Sequence, residues 1–190
     1  MANIDHAQNN SFGADIRSLR KLRGMTLSDV AKRLNKSVGW VSQIERDLSE
    51  PKQSDLEQLS DIFDVALTTL VHKPQEHDRE TGRIVRQGHG RKIGKRADGL
   101  LEQLLSPDLT DDFEVVHSVF EPKSTIPSPM RRPTQELAYL VSGKLDISID
   151  GETYTIEQGD SFRIRGEVYS WSNPYDDPAV AIWIISPPVY

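Results

Sequence analysis

Residues 26–65 read TLSDVAKRLNKSVGWVSQIERDLSEPKQSDLEQLSDIFDV, and the spacing of their apolar positions decides the fold of the first third of the chain. Leu27, Val30, Ala31 and Leu34 recur at three- and four-residue steps, which puts them on one face of a helix. Thr26 precedes that run and Asp29 follows three residues on, an acidic variant of the capping box. Asn35 stands where the helix should end, because asparagine tolerates the positive φ that glycine usually supplies there. Ser37 is placed to cap a third helix with Val41 and Ile44 inward. Pro51 and Ser54 mark entry to a fourth, with Leu56, Leu59, Ile62 and Phe63 inward. Upstream, Ile16, Leu19 and Leu22 form one more apolar stripe. The pattern predicts short helices at about residues 14–23, 27–34, 38–45, 54–63 and 67–71.

The rest of the chain changes character. Residues 72–99, HKPQEHDRETGRIVRQGHGRKIGKRADG, are rich in glycine and charge and read as a connector with one short strand at most. From Phe113 onward the text alternates with period two: FEVVHSVFEP, then ELAYLVSGKLDISIDGETYTIEQGDSFRIR, then AVAIWIIS. Short alternating runs bounded by Gly, Asp, Asn and Pro are the pattern of antiparallel strands. The expected organisation is multidomain, α plus all-β: a disordered N-terminus over 1–11, a helical head over 12–72, a linker over 73–100 and a β domain over 101–190.

Composition narrows the function. The 190 residues include no cysteine, which excludes disulfide scaffolds, thiolate metal sites and cysteine nucleophiles. No apolar run approaches the roughly 18 residues a membrane span needs. The opening MANIDHAQNNSFG has neither the basic nor the apolar region of a signal peptide. A soluble cytoplasmic protein with no membrane partner is expected. The net charge of −6 is uneven: residues 1–75 are neutral, 76–100 carry +3 and 101–190 carry −9. Arg17, Arg20, Lys21, Arg23, Lys32, Arg33 and Lys36 crowd into residues 14–36 against only Asp15 and Asp29. That basic concentration points to an anionic partner for the head.

The run 26–65 resembles the helix-turn-helix of the lambda-repressor-like (Xre-type) DNA-binding domains, a resemblance that spans about residues 12–71. VSQIERDLSEP (41–51) carries it most specifically, since that family places a Ser-x-Ile-Glu turn and a downstream proline at this spacing. The resemblance implies a five-helix head that binds a double-stranded DNA operator as a homodimer, with the third helix in the major groove. Ser37, Val38, Gly39, Trp40 and Gln43 would then face DNA. Gln43 suits a bidentate pair with adenine and Val38 a thymine methyl. Lys36, Arg17, Arg20 and Arg46 would contact phosphates, which position the domain without reading sequence. Lys36 departs from the small apolar residue the family usually has in the turn.

The β part is similar to a cupin, the double-stranded β-barrel of jelly-roll type. Glu136, six intervening residues and Gly143 match the end of the first cupin motif; Gly159-Asp160-Ser161 followed by Asn173 matches the frame of the second. The closing Ile185 to Pro188 is similar to the end of cupin regulators that carry this same head. Metal cupins bind through two His, a Glu and a third His. Mapped here, those positions are Met130, Arg132, Glu136 and Tyr169, while His6, His72, His77, His89 and His117 lie outside the motif. Neither a metal nor another cofactor is expected, and Arg132 is expected to pair with Glu136. Inward positions Met130, Arg132, Glu136, Tyr169 and Trp171 would line an effector pocket for a small carboxylate-bearing or zwitterionic metabolite. Arg131, Arg163 and Trp183 are expected to point outward.

The resulting expectation is a non-enzymatic transcription regulator with a sensing barrel. Three alternatives stand beside it. One is an iron-dependent epoxidase of the phosphonate type, which shares this architecture but needs the two-His, one-carboxylate triad. The second is a barrel kept for dimerisation alone, and the third is an adaptor whose acidic barrel docks another protein.

Overall fold

The first four helices of the head begin beside a side chain that bonds a backbone amide of the first turn or the cap. The computed structural model describes residues 11–71, 80, 82–94, 96–107 and 109–189. Helix α1 (Phe12–Leu22) starts after Ser11, whose Oγ accepts from the Ala14 amide at 3.2 Å. Helix α2 (Leu27–Leu34) has the full capping box: Thr26 Oγ1 accepts from Asp29 N at 3.2 Å, and Asp29 Oδ2 accepts from Thr26 N at 2.8 Å. Asn35 ends it at φ 53°. Helix α3 (Val38–Ile44) is capped by Ser37 through the Trp40 amide at 3.1 Å. Helix α4 (Gln53–Phe63) departs from the reading of Ser54 as its entry. Lys52 is the cap, and Asp55 Oδ2 reaches back to its amide at 3.1 Å. Helix α5 (Leu67–Leu70) completes the head.

The apolar stripes meet in one core. Ile16, Leu19, Val30, Ala31, Leu34, Val41, Ile44, Leu59 and Phe63 are buried, whereas Leu22, Leu27, Leu56 and Ile62 are half-buried at its margin. Gly13 lets α1 cross close to the end of α3, because a Cβ there would stand 2.4 Å from the Ile44 carbonyl oxygen. The disordered N-terminus expected over 1–11 concerns residues of which 1–10 lie outside the described set; Ser11 is fixed as a cap.

The chain divides into two units. Residues up to 91 together with 107–111 form the first, and 92–106 with 112–189 form the second. The linker expected to run to residue 100 is therefore too long at its end, because β1 (Arg91–Lys92) and β2 (Leu100–Leu104) already belong to a sheet. Its residues 72–79 lie outside the described set.

The second unit is a sandwich of antiparallel strands: β3 (Glu114–Phe120), β4 (Ser124–Thr125), β5 (Gln135–Ser142), β6 (Lys144–Ile149), β7 (Glu152–Glu157), β8 (Ser161–Ile164), β9 (Tyr169–Asn173) and β10 (Ala179–Ser186). One sheet runs β1-β2-β3-β10-β5-β8 and the other β4-β9-β6-β7, the two-layer arrangement of a cupin jelly roll. Alternation is strict on β3 and β5, so Glu114, Val116, Ser118 and Phe120, and Glu136, Ala138 and Leu140, all point into the core. Register sets Glu136 opposite both Ile185 and Ile164, and Ala138 opposite Trp183. Gly143, the glycine of the first motif, turns at φ 80° where a Cβ would meet the Pro178 carbonyl oxygen at 2.5 Å.

Candidate DNA interface and barrel cavity

On α3 the inward and outward faces separate cleanly. Val41 and Ile44 are 1% exposed, while Val38, Gly39 and Gln43 are exposed and Trp40 is half-exposed. Ser37, Val38, Gly39, Trp40 and Gln43 thus lie at the cap and first two turns of α3 with some solvent exposure each, and the helix-turn-helix reading puts base contacts in that part of the helix. Arg17 and Arg46 are exposed too, and Arg46 Nε donates to the Ser42 carbonyl at 3.0 Å.

Two cations read as phosphate contacts are tied to protein carboxylates. Arg20 forms a two-pronged pair with Glu45, Nε to Oε1 at 2.5 Å and an Nη to Oε2 at 3.0 Å, and also donates to the Met25 carbonyl. Both partners are largely buried, so Arg20 joins α1 to the end of α3 and its fork is already filled. The signal lay in the sequence, in the Glu of Ser-x-Ile-Glu, which needs a cation once it is buried. Lys36 Nζ lies 2.9 Å from Asp55 Oδ1 and 4.8 Å from the centre of the Trp40 ring. That contact holds the Asp55 carboxyl below its ordinary range.

In the second unit, a cavity of about 30 Å³ sits between the sheets. All five residues expected at the effector pocket, Met130, Arg132, Glu136, Tyr169 and Trp171, line it. Met130 comes from an isolated bridge to Tyr169, which explains how a residue outside the long strands reaches the cavity. Sequence reasoning missed Arg96 and Glu102, which also line it; Arg96 fell inside the expected linker. Their groups lie 3.5 Å apart, and Ser118 Oγ donates to Glu102 at 3.2 Å. Trp183, expected outside, is buried against the cavity, because β10 has Ala179, Ala181, Trp183 and Ile185 on one inward face. Arg131 and Arg163 do lie exposed.

The expected Arg132–Glu136 pair is not formed. Glu136 is 1% exposed, and its two oxygens accept from Thr134 Oγ1 at 2.8 Å and from Tyr169 OH at 3.3 Å. Thr134, two residues away on the same face, satisfies the carboxylate locally before Arg132 can. Among the described residues Arg132 has one polar contact, to Met130 Sδ at 3.8 Å. Burial pushes the Tyr169 phenol well above its ordinary range, so it stays a donor to Glu136. Glu114 is fully buried, neither carboxylate oxygen has a hydrogen-bond partner among the described residues, and desolvation raises its pKa against the partial opposition of Arg96 and Arg132.

These residues do not fit a cupin metal centre. At the mapped ligand positions a thioether, a guanidinium and a phenol surround one carboxylate, and the guanidinium repels a cation. Among the described residues no group of three or more His, Asp or Glu is placed to hold a metal ion, and no helix is long and apolar enough to cross a membrane.

A family model described as helix-turn-helix matches residues 16–70, and one described as cupin domain matches residues 116–185. The HTH-type transcriptional regulator SinR of Bacillus licheniformis is 30% identical over 92 residues, 45% of this chain and 83% of SinR. The chain belongs to the Xre-type helix-turn-helix regulators with a cupin domain. The HTH-type transcriptional regulator PuuR of Escherichia coli K12 is 22% identical over 165 residues, which is 85% of this chain and 86% of PuuR. Among solved structures, the cupin domain of an XRE family transcriptional regulator from Enterobacter cloacae is 23% identical, with a TM-score of 0.43, over 48% of this chain and 100% of that one. As a member of these regulators the protein is a DNA-binding transcription regulator, and the exposed face of α3 is its candidate reading surface.

Proposed function

We propose that this regulator binds a two-fold symmetric operator as a homodimer in the cytoplasm, and that its barrel senses a small metabolite bearing a carboxylate. The observation that carries the sensing reading is Arg132. Its guanidinium lines the cavity with no carboxylate on it, while the neighbouring Glu136 is already satisfied by Thr134 and Tyr169. A guanidinium left with free forked donors in a cavity is complementary to a carboxylate. The homodimer reading is supported by the outer face of the larger sheet. Leu101, Leu137, Tyr139, Val141 and Ile184 are 40–58% exposed there, on a body whose residues 101–190 carry −9. Two such bodies repel unless they meet through an uncharged surface. The donor set at Met130, Arg132 and Tyr169 supports a regulator over a metal-dependent enzyme.

The test is a thermal-shift series on the full chain with mono- and dicarboxylates against matched amines and alcohols. Carboxylates should raise the barrel transition and Arg132→Met should abolish the shift, since a ligand bound only by the folded state raises Tm. Stabilisation by amines and not by acids would overturn the reading. The dimer is tested by light scattering: Tyr139→Glu should yield a monomer, and an unchanged mass would remove this face as the interface. One observation favours a second reading, a barrel kept for pairing alone. The cavity, at about 30 Å³, is small for a metabolite, and absence of any ligand response would select that reading.

A further inference from the structure

The cavity around Arg132 measures about 30 Å³, room for about two water molecules at 10–15 Å³ each. A ligand larger than a bare carboxylate must place its remainder elsewhere. A second space of about 330 Å³ lies in the same unit, lined by Ile147, Ile149, Tyr154, Ile156, Ser161 and Phe162. Apart from the Ser161 and Tyr154 hydroxyls, that lining is hydrocarbon and aromatic ring.

Its origin is topological. Strand β8 ends one sheet and β7 ends the other, so the two layers are not hydrogen-bonded along this seam. Side chains of β6, β7 and β8 line the space left there. Ile147 and Ile156 are nonetheless 0% and 9% exposed, which makes the seam an apolar recess and not a flat surface.

The two spaces share a wall. Phe162, which lines the seam, meets Trp183 edge-on with ring centroids 5.2 Å apart, and Trp183 lines the Arg132 cavity. Tyr169 and Trp171 of that cavity are the strand partners of Ile149 and Ile147 of the seam. The half-buried Phe162 ring is therefore the partition between a guanidinium that lacks a carboxylate and an apolar recess about ten times larger.

We infer that the barrel takes an amphiphilic monocarboxylic acid, its carboxylate on Arg132 and its aliphatic chain lying past Phe162 in the seam between β6, β7 and β8. The inference rests on the sensing reading given above and adds the class of ligand. Charge fixes one end, since the carboxylate is the anion that Arg132 lacks. Volume and lining fix the other, since an aliphatic chain fills the recess and frees apolar wall from water. A free acid in solution is the occupant.

The experiment titrates the full chain by calorimetry with butanoate, hexanoate, octanoate and decanoate, below their micellar concentrations, and with 1-octanol. Affinity should rise about threefold to fourfold per added methylene. Ile149→Phe, which fills the recess, should flatten that rise while butanoate binding stays. Arg132→Met should weaken every acid and leave 1-octanol unchanged. Should Ile149→Phe fail to fold, Ser161→Phe at the exposed mouth of the same recess makes the same test. Acids that bind Arg132 with no dependence on chain length would overturn this inference and leave the sensing reading standing. A rise that the filling variant leaves intact would overturn it too. No binding by any acid would remove both readings together.

Discussion

Glu45 of the head and Glu136 of the barrel are both buried carboxylates near an arginine, and their charges are resolved in opposite ways. In the head, Glu45 receives a two-pronged bond from Arg20, with distances of 2.5 and 3.0 Å. In the barrel, Glu136 is satisfied by neutral hydroxyls and Arg132 is left without a carboxylate. Closed ion pairs make a rigid reading head, because each partner fixes the other's rotamer. An unfilled guanidinium in a cavity does the reverse, keeping a site energetically incomplete until something binds. The contrast between a completed site and an open one separates the DNA-binding head from the barrel proposed above as the sensor.

The strongest way to break this comparison is to open the closed pair. Glu45→Gln should destabilise the head by about 3 kcal/mol, the lower end of the range for a buried pair that loses one partner, and leave the barrel transition in place by calorimetry. Arg20→Met should likewise cost stability without changing the salt dependence of operator binding. Arg17→Met should lower the salt slope by about 0.9, the value for one lost phosphate contact. If Arg20→Met alone reduced that slope, Arg20 would be a phosphate contact after all.

A smaller effect sharpens the assignment of the reading face. Gln43→Ala should cost about 1–3 kcal/mol of operator affinity and relax preference at one base pair, measured by binding to a set of single-base operator variants. Equal loss across all variants would mean that Gln43 touches backbone only. Smaller again, Thr26→Ala removes half of the α2 capping box and should cost about 1 kcal/mol of head stability in urea, with operator contacts untouched.

The last prediction is a slope. Desolvation raises the Glu114 pKa above its ordinary value of 4.5, so the folded barrel holds that proton more tightly than the unfolded chain. The stability this gives is fully present below pH 4.5 and is lost as pH rises through the raised value. Arg96 and Arg132 oppose the shift and Glu102 adds to it. Glu114→Gln keeps the shape and removes the proton, so its barrel Tm should decline less than that of the parent between pH 4.5 and 8. Parallel Tm profiles would show that Glu114 ionises without cost.

What could be read from the sequence follows the separation of the partners. The head's caps join residues three apart, as in Ser11–Ala14, Thr26–Asp29, Ser37–Trp40 and Lys52–Asp55, so a short window contains both groups. Even there, Lys52 displaced Ser54 because Asp55 bonds the amide of Lys52, two residues before the serine. In the barrel the alternation of β3 and β5 told which residues face inward, and the five expected cavity residues do line it. The bonds among them could not be read. Glu136 meets Tyr169 across 33 residues, and the competition between Thr134 and Arg132 for one carboxylate depends on side-chain direction. Arg96 was hidden because a glycine- and charge-rich segment looks like connector until a neighbouring strand orders it.

One detail of the turn before α3 bears on how fast the head can work. Lys36 reaches both Asp55 and the Trp40 ring, so an ammonium held by a carboxylate lies against the largest side chain of the candidate reading face. Immobilising such a side chain on binding costs about 0.5–1.5 kcal/mol. Because folding has already restricted the indole, little of that cost remains when the head meets a groove. Encounters then need less side-chain rearrangement before they become productive, which favours rapid sampling of successive sites along a duplex over slow induced fit at each one.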